Sequence, residues 1–87
     1  MMRVFVPSPL RSYTGGRAEV EASGETLTAL LDDLDRAFPG MRFRMHDEQS
    51  RIRPHVRFFV NRERVHDLGL RLAASDEIQI LCALSGG

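Results

Sequence analysis

The residues of this chain with the clearest chemical use are the last two, Gly86 and Gly87. A strand-like run, Glu77-Ile78-Gln79-Ile80-Leu81, passes through Cys82-Ala83-Leu84-Ser85 into this bare diglycine. Gly87 is expected to carry a free α-carboxylate. Lacking a Cβ, glycine backbone reaches conformations that other residues avoid and enters slots too narrow for side chains. A carboxylate on such a lead suits delivery into another protein's active site. The same small residues also make a plain frayed terminus. The strand directly before them, in a chain of this size, favours delivery.

Other chemistry is poorly provided for. His46, His55 and His66 lack metal-ligand spacing, and no acidic or thiol cluster joins them, so neither a metal site nor intrinsic catalysis is expected. Asp32, Asp33 and Asp35 read as a solvated helix face rather than an acid–base pair. Thr14-Gly15-Gly16 lacks the strand and helix that a phosphate-binding loop needs. The single cysteine, Cys82, excludes an internal disulfide and reads as a small buried residue rather than a redox thiol. Arg51, Arg53 and Arg57 form a local basic cluster, either a solvated loop or a docking patch for an acidic or phosphorylated partner.

Composition bounds the whole. At 87 residues the chain is one domain, of a size that buries only about 60–65% of its unfolded surface. Twelve basic and twelve acidic residues cancel, so no general field toward nucleic acid or membrane is expected. All the basic residues other than histidine are arginine; with no lysine, the chain offers no side chain for isopeptide formation. The start, Met1-Met2-Arg3-Val4-Phe5-Val6, lacks the apolar region of a signal peptide, and no apolar run is of membrane-spanning length. A cytoplasmic location is the expectation.

The elements that must position the terminus follow from periodicity. Met2 to Val6 alternates as a first strand, closed by Pro7-Ser8-Pro9. The connection to Gly16 is long, with Leu10 and Tyr13 expected to cover one end of the core and Thr14-Gly15-Gly16 to supply positive-φ turn positions. Arg17 to Ala22 is a half-buried second strand, with Ala18, Val20 and Ala22 inward. Thr26 should cap a helix whose apolar stripe is Leu27, Leu30, Leu31, Leu34 and Phe38, ended by Pro39-Gly40. Met41, Phe43 and Met45 alternate with Arg42 and Arg44, which suggests a short strand or an extended cover, followed by a turn at Asp47-Glu48-Gln49-Ser50. Val56 to Val60 is a third strand, Glu63 to Val65 a short edge strand, and His66 to Ala74 a loop with Leu68, Leu70 and Leu72 as satellites of the core. The last strand points Ile78 and Ile80 inward and Gln79 and Leu81 outward. One striped helix needs one apolar sheet face, and Met2, Val4, Val6, Val20, Val56, Phe58, Val60, Ile78 and Ile80 supply it.

This ββαββ order ending in Gly-Gly resembles the ubiquitin-like β-grasp fold. More closely, the chain is similar to the prokaryotic ubiquitin-related sulfur carriers, relatives of the molybdopterin synthase small subunit and the thiamin sulfur carrier. The resemblance rests on Gly24-Glu25-Thr26-Leu27, Phe38-Pro39-Gly40, Phe59-Val60-Asn61, Asp76-Glu77-Ile78 and Leu84-Ser85-Gly86-Gly87. Pro9-Leu10-Arg11 through Thr14-Gly15-Gly16 is similar to the carriers that serve cysteine biosynthesis. Many relatives place proline before the tail, where this chain has Cys82 and Ala83.

The resemblance implies an α+β domain over residues 1–87, a mixed sheet of four to five strands on one main helix, with a flexible tail at 82–87. It implies that Gly87 bears sulfur as a thiocarboxylate, with Gly86 its unhindered neighbour and Leu84 and Ser85 the tail. An E1-like adenylyltransferase and sulfurtransferase would use ATP to activate the terminus, no cofactor staying on the carrier. A cysteine synthase or the molybdopterin synthase large subunit would accept the sulfur. A protein modifier or a module that is never activated is the alternative. In the β-grasp order the last strand lies between the first and third, so outward Phe5, Leu81 and Phe59 should sit side by side as the partner-binding patch.

Overall fold

The computed structural model describes residues 1–82. Alternating sequence becomes strand wherever one face can be buried. β1 (Met2–Phe5), β2 (Glu19–Ala22), β3 (Val56–Val60), β4 (Glu63–Val65) and β5 (Glu77–Cys82) form one mixed sheet in the order β2-β1-β5-β3-β4. β1 pairs antiparallel with β2 and parallel with β5, and β5 pairs antiparallel with β3. The inward set expected from parity is buried throughout, with Val4, Phe58 and Ile78 wholly inaccessible.

Helix α1 (Leu27–Ala37) covers that face with Leu27, Leu30, Leu31 and Leu34, while Phe38, its C-cap, packs half-buried at the margin. Thr26 caps it as expected, its Oγ1 accepting the Ala29 N–H at 3.1 Å. The next orphan donors of the first turn are met by tertiary structure. Leu27 and Thr28 donate their N–H groups to the carbonyls of Leu70 and Leu68, at 3.0 and 2.8 Å. The 66–74 loop differs in part from expectation. Leu68 is buried and Leu72 half-buried, but Leu70 lends its carbonyl to the helix and its side chain is exposed, so it is not a core satellite.

The segment after α1 also differs from expectation. Met41 to Met45 is a short helix, α2, not a strand or an extended cover. Met41 and Met45 are both buried, one turn apart, whereas Phe43 points to solvent at 60% exposure. Gly40 makes the corner between the helices at φ +94°, a conformation that costs glycine little. Asp35 on α1 fixes it, its Oδ1 accepting the N–H groups of both Gly40 and Arg42 at 3.1 Å. The outward acidic face of α1 is therefore put to structural use. Asp32 pairs with Arg42 at 2.6 Å, and the Ser23 backbone N–H, foremost, holds the Asp33 carboxyl below its ordinary pKa.

Between β1 and β2, a 3₁₀ turn (Ser8–Leu10) buries Leu10, and Tyr13 packs half-buried beside it. Gly15 and Gly16 both take positive φ. β2 begins only at Glu19, which leaves Ala18 exposed, although its carbonyl still accepts the Val6 N–H at 2.8 Å. β5 runs one residue beyond the expected Leu81, because Cys82 is still paired with Val56.

Gly24 sits where the chain passes under α1. A Cβ there would stand 2.4 Å from the Leu30 backbone nitrogen, which cannot move without moving the helix. Gly24→Ala should therefore destabilise the domain by about 1–3 kcal/mol, the usual cost of overpacking. The check is thermal unfolding; an unchanged Tm would show that the helix is not held this close.

Candidate functional site

The candidate site is the uncovered face of the sheet together with β5, the last described strand. Helix α1 shields one side only, so outward residues of the strands meet solvent. Across the middle, register aligns Glu19 of β2, Phe5 of β1, Gln79 of β5, Phe59 of β3 and Arg64 of β4. Phe5 and Phe59 are half-buried and point away from the helix, as parity requires. They are not in direct lateral contact through Leu81, because Gln79 occupies the position between them. Leu81 lies one pleat further along β5, a step of about 7 Å, opposite Arg57 and 40% exposed. The expected patch is thus a bent apolar track around Gln79 rather than a single row. Alternation points Gln79 outward, but only register reveals that Gln79 and Arg57 interleave with the apolar residues.

Charges frame this track. Arg3 bridges Glu77 at 2.8 Å and Glu19 at 3.9 Å, and its guanidinium lies 5.5 Å from the Phe5 ring centroid. Glu19 and Glu21 make the β2 edge acidic, while Arg57 and Arg64 make the opposite edge basic. The expected cluster of Arg51, Arg53 and Arg57 is real and larger than its sequence neighbourhood. Folding β4 against β3 adds Arg64 and His66, and the side chains line one groove of about 450 Å³.

Cys82 is half-buried at the end of β5, packed against the core margin. Burial pushes its thiol pKa up, so the environment favours the neutral form. Leu84, Ser85, Gly86 and Gly87, with Ala83, lie outside the described residues, and so does the expected mobility of that tail. Among the described residues no three His, Cys, Asp or Glu side chains converge as a metal site. No helix among them is long and apolar enough to cross a membrane.

A striped helix on one face of a mixed five-stranded sheet, with a parallel pairing between first and last strands, defines a ubiquitin-like β-grasp protein. The profile of the ThiS family matches residues 4–87, and the chain belongs to that family. It is 38% identical to the sulfur carrier protein CysO of Mycobacterium tuberculosis over an alignment of 89 residues, covering 97% of this chain and 96% of the relative. The crystal structure of M. tuberculosis CysO superposes with a TM-score of 0.90 at 35% identity, covering 97% of this chain and all of the other. CysO in the Amycolatopsis orientalis BexX/CysO complex gives 0.92 at 31% identity over the full length of both. SAMP1 of Haloferax volcanii gives 0.78 at 28% identity, covering 99% and 98%.

The Cys82 environment makes a direct prediction. The thiolate is the nucleophile, and burial disfavours it, so alkylation by iodoacetamide should be slow at neutral pH. Its rate should rise with pH, with a midpoint above that of an unburied cysteine. A midpoint at or below the ordinary value would mean that some group stabilises the thiolate.

Proposed function

We propose that this chain is a sulfur carrier acting in the cytoplasm, with sulfur borne on Gly87 and delivered to cysteine biosynthesis. The near-full-length likeness to proteins named as sulfur carriers is the observation that supports this reading most. The chemistry is set by the terminus. A carboxylate is a poor electrophile, so the Gly87 carboxylate first attacks the α-phosphorus of ATP on an E1-like partner, releasing pyrophosphate and forming an acyl-adenylate. Sulfide sulfur then displaces AMP and leaves a thiocarboxylate. That sulfur is nucleophilic yet cannot diffuse away, and a synthase takes it up. The carrier supplies no catalytic group; Gly86 and Gly87 supply a lead free of side chains. ATP belongs to the partner.

The track of Phe5, Phe59 and Leu81 is the docking face in this reading, since large apolar side chains on an open sheet face mark partner sites. Leu81→Asp places a carboxylate opposite Arg57 without touching the core. Its stability should stay within about 0.5 kcal/mol of the parent, while binding to the adenylating enzyme is lost. Retained binding, measured by calorimetry, would remove Leu81 from the docking face.

Deleting Gly87 should be as damaging at the chemical step. It shortens the reach by up to ~3.5 Å, and a misplacement of even ~1 Å at a reacting centre can cost ~100-fold. Appending one alanine lengthens the reach by up to ~3.5 Å and places a Cβ beside the carboxylate. Both variants should melt like the parent and lose ATP-dependent pyrophosphate exchange. Exchange at the parental rate, without trimming, would show that the diglycine is not the functional terminus.

A second reading, a protein modifier, is supported by the likeness to SAMP1, a small archaeal modifier protein. It shares the adenylation step and differs in the acceptor, a lysine of another protein. The chain's lack of lysine leaves it no side chain for self-conjugation.

A further inference from the structure

Four arginines and a histidine line the groove between the Ser50–Arg57 segment and β4: Arg51, Arg53, Arg57, Arg64 and His66. In a chain of balanced charge this is a local excess that needs a reason. Most of it is uncompensated. Arg51 pairs with Asp47 at 3.0 Å. Among the described residues Arg53, Arg57 and Arg64 have no carboxylate within 4.0 Å. The groove is also built to hold its shape. Arg53 donates Nε–H to the Phe43 carbonyl at 2.9 Å and stacks on the Phe43 ring at 4.5 Å, while Arg57 donates to the Pro54 carbonyl at 2.6 Å.

Its position matters as much as its charge. Val56 and Arg57 line the groove and are the register partners of Cys82 and Leu81. A protein that grips Leu81 and Cys82 from the β3 flank of β5 therefore lies over or beside the groove. The opposite edge of the same sheet face carries exposed Glu19 and Glu21. Charge across the face thus has a direction, basic beside the outgoing strand and acidic at the far edge.

We propose that this groove docks an acidic segment of the enzyme that activates the terminus, and so sets the orientation in which the carrier is presented. The proposal rests on the sulfur-carrier reading for the existence of that enzyme. Guanidinium forks match carboxylates in paired hydrogen bonds. Here they are spread along a groove, with Arg51, Arg53 and Arg57 each braced by a separate contact, which fits several carboxylates on a peptide. A single phosphate is better held where a helix N-terminus aims backbone N–H groups at one point, and neither α1 nor α2 begins at the groove. Complementary charge of this kind steers encounter and suppresses reversed docking.

The test is steady-state adenylation of the full chain by the adenylating enzyme of its own host, at low and high salt. Arg57→Glu/Arg64→Glu should raise KM for the carrier about 10-fold or more at low ionic strength, the gap narrowing as salt screens it, with kcat little changed. Arg57→Gln/Arg64→Gln, which removes charge without reversing it, should fall between and melt like the parent. Arg36→Gln, which removes a charge from α1 on the covered side of the sheet, should leave KM within about twofold. Parental KM and salt dependence in both arginine variants, with the parent itself activated, would overturn the groove and leave the carrier reading standing. A parent not activated at all would overturn both. Tight binding of inorganic phosphate at the Arg57 and Arg64 amides by NMR, with KM unaffected by the substitutions, would identify a small-anion site and overturn the docking role.

Discussion

The fold depends on one pairing, the parallel ladder between the first strand and the last. Val4 meets Ile78 and Phe5 meets Gln79, and Arg3 closes the end of the ladder on Glu77, 74 residues away in sequence. This contact places β5 in the interior of the sheet, where β3 bonds its other edge over five register pairs. Ile78 and Ile80 then fall at the centre of the core, almost without solvent contact. An edge strand would leave the sheet when its end is pulled; a strand held on both sides resists. In the sulfur-carrier reading proposed above, that anchorage would hold the domain together while the terminus is drawn into a partner's active site, and its cost is a topology of non-local contacts, which slows folding.

From the same pairing follows the division of the sheet into a covered and an open face. Outward alternation brings Phe5, Phe59 and Leu81 to the open side, and register with β2 and β4 sets acidic and basic residues at opposite edges. Apolar contact supplies adhesion that has no direction, while the charge gradient supplies direction. The two features lie on one surface, beside β5.

Much of this was legible in the residues. Alternation picked out every buried strand position, and the leucine stripe with Thr26 before it marked α1 and its cap. The misreadings have physical causes. Met41, Phe43 and Met45 satisfy a two-residue period, yet Met41 and Met45 alone also satisfy a helical one, and tertiary bonds from Asp35 to Gly40 and Arg42 decide between them. Leu70 keeps the two-residue spacing of Leu68 and Leu72 yet is exposed, since outside a strand that spacing does not fix alternate residues on one face. Arg64 and His66 join the basic groove, and Gln79 divides the aromatic pair, only through strand register. Alternation shows which face a residue occupies; who stands beside it is settled across strands.

The central claim is that Gly87 exists in the cell as a thiocarboxylate. Intact mass spectrometry of the protein purified from its own host tests this without any assumption about partners. The account predicts a population heavier by the exchange of one oxygen for sulfur, which a C-terminal fragment places on Gly87 and which disappears when the host's adenylating enzyme is deleted. Protein found solely as the carboxylate under conditions of active cysteine synthesis, or sulfur located at Cys82 instead, would contradict it.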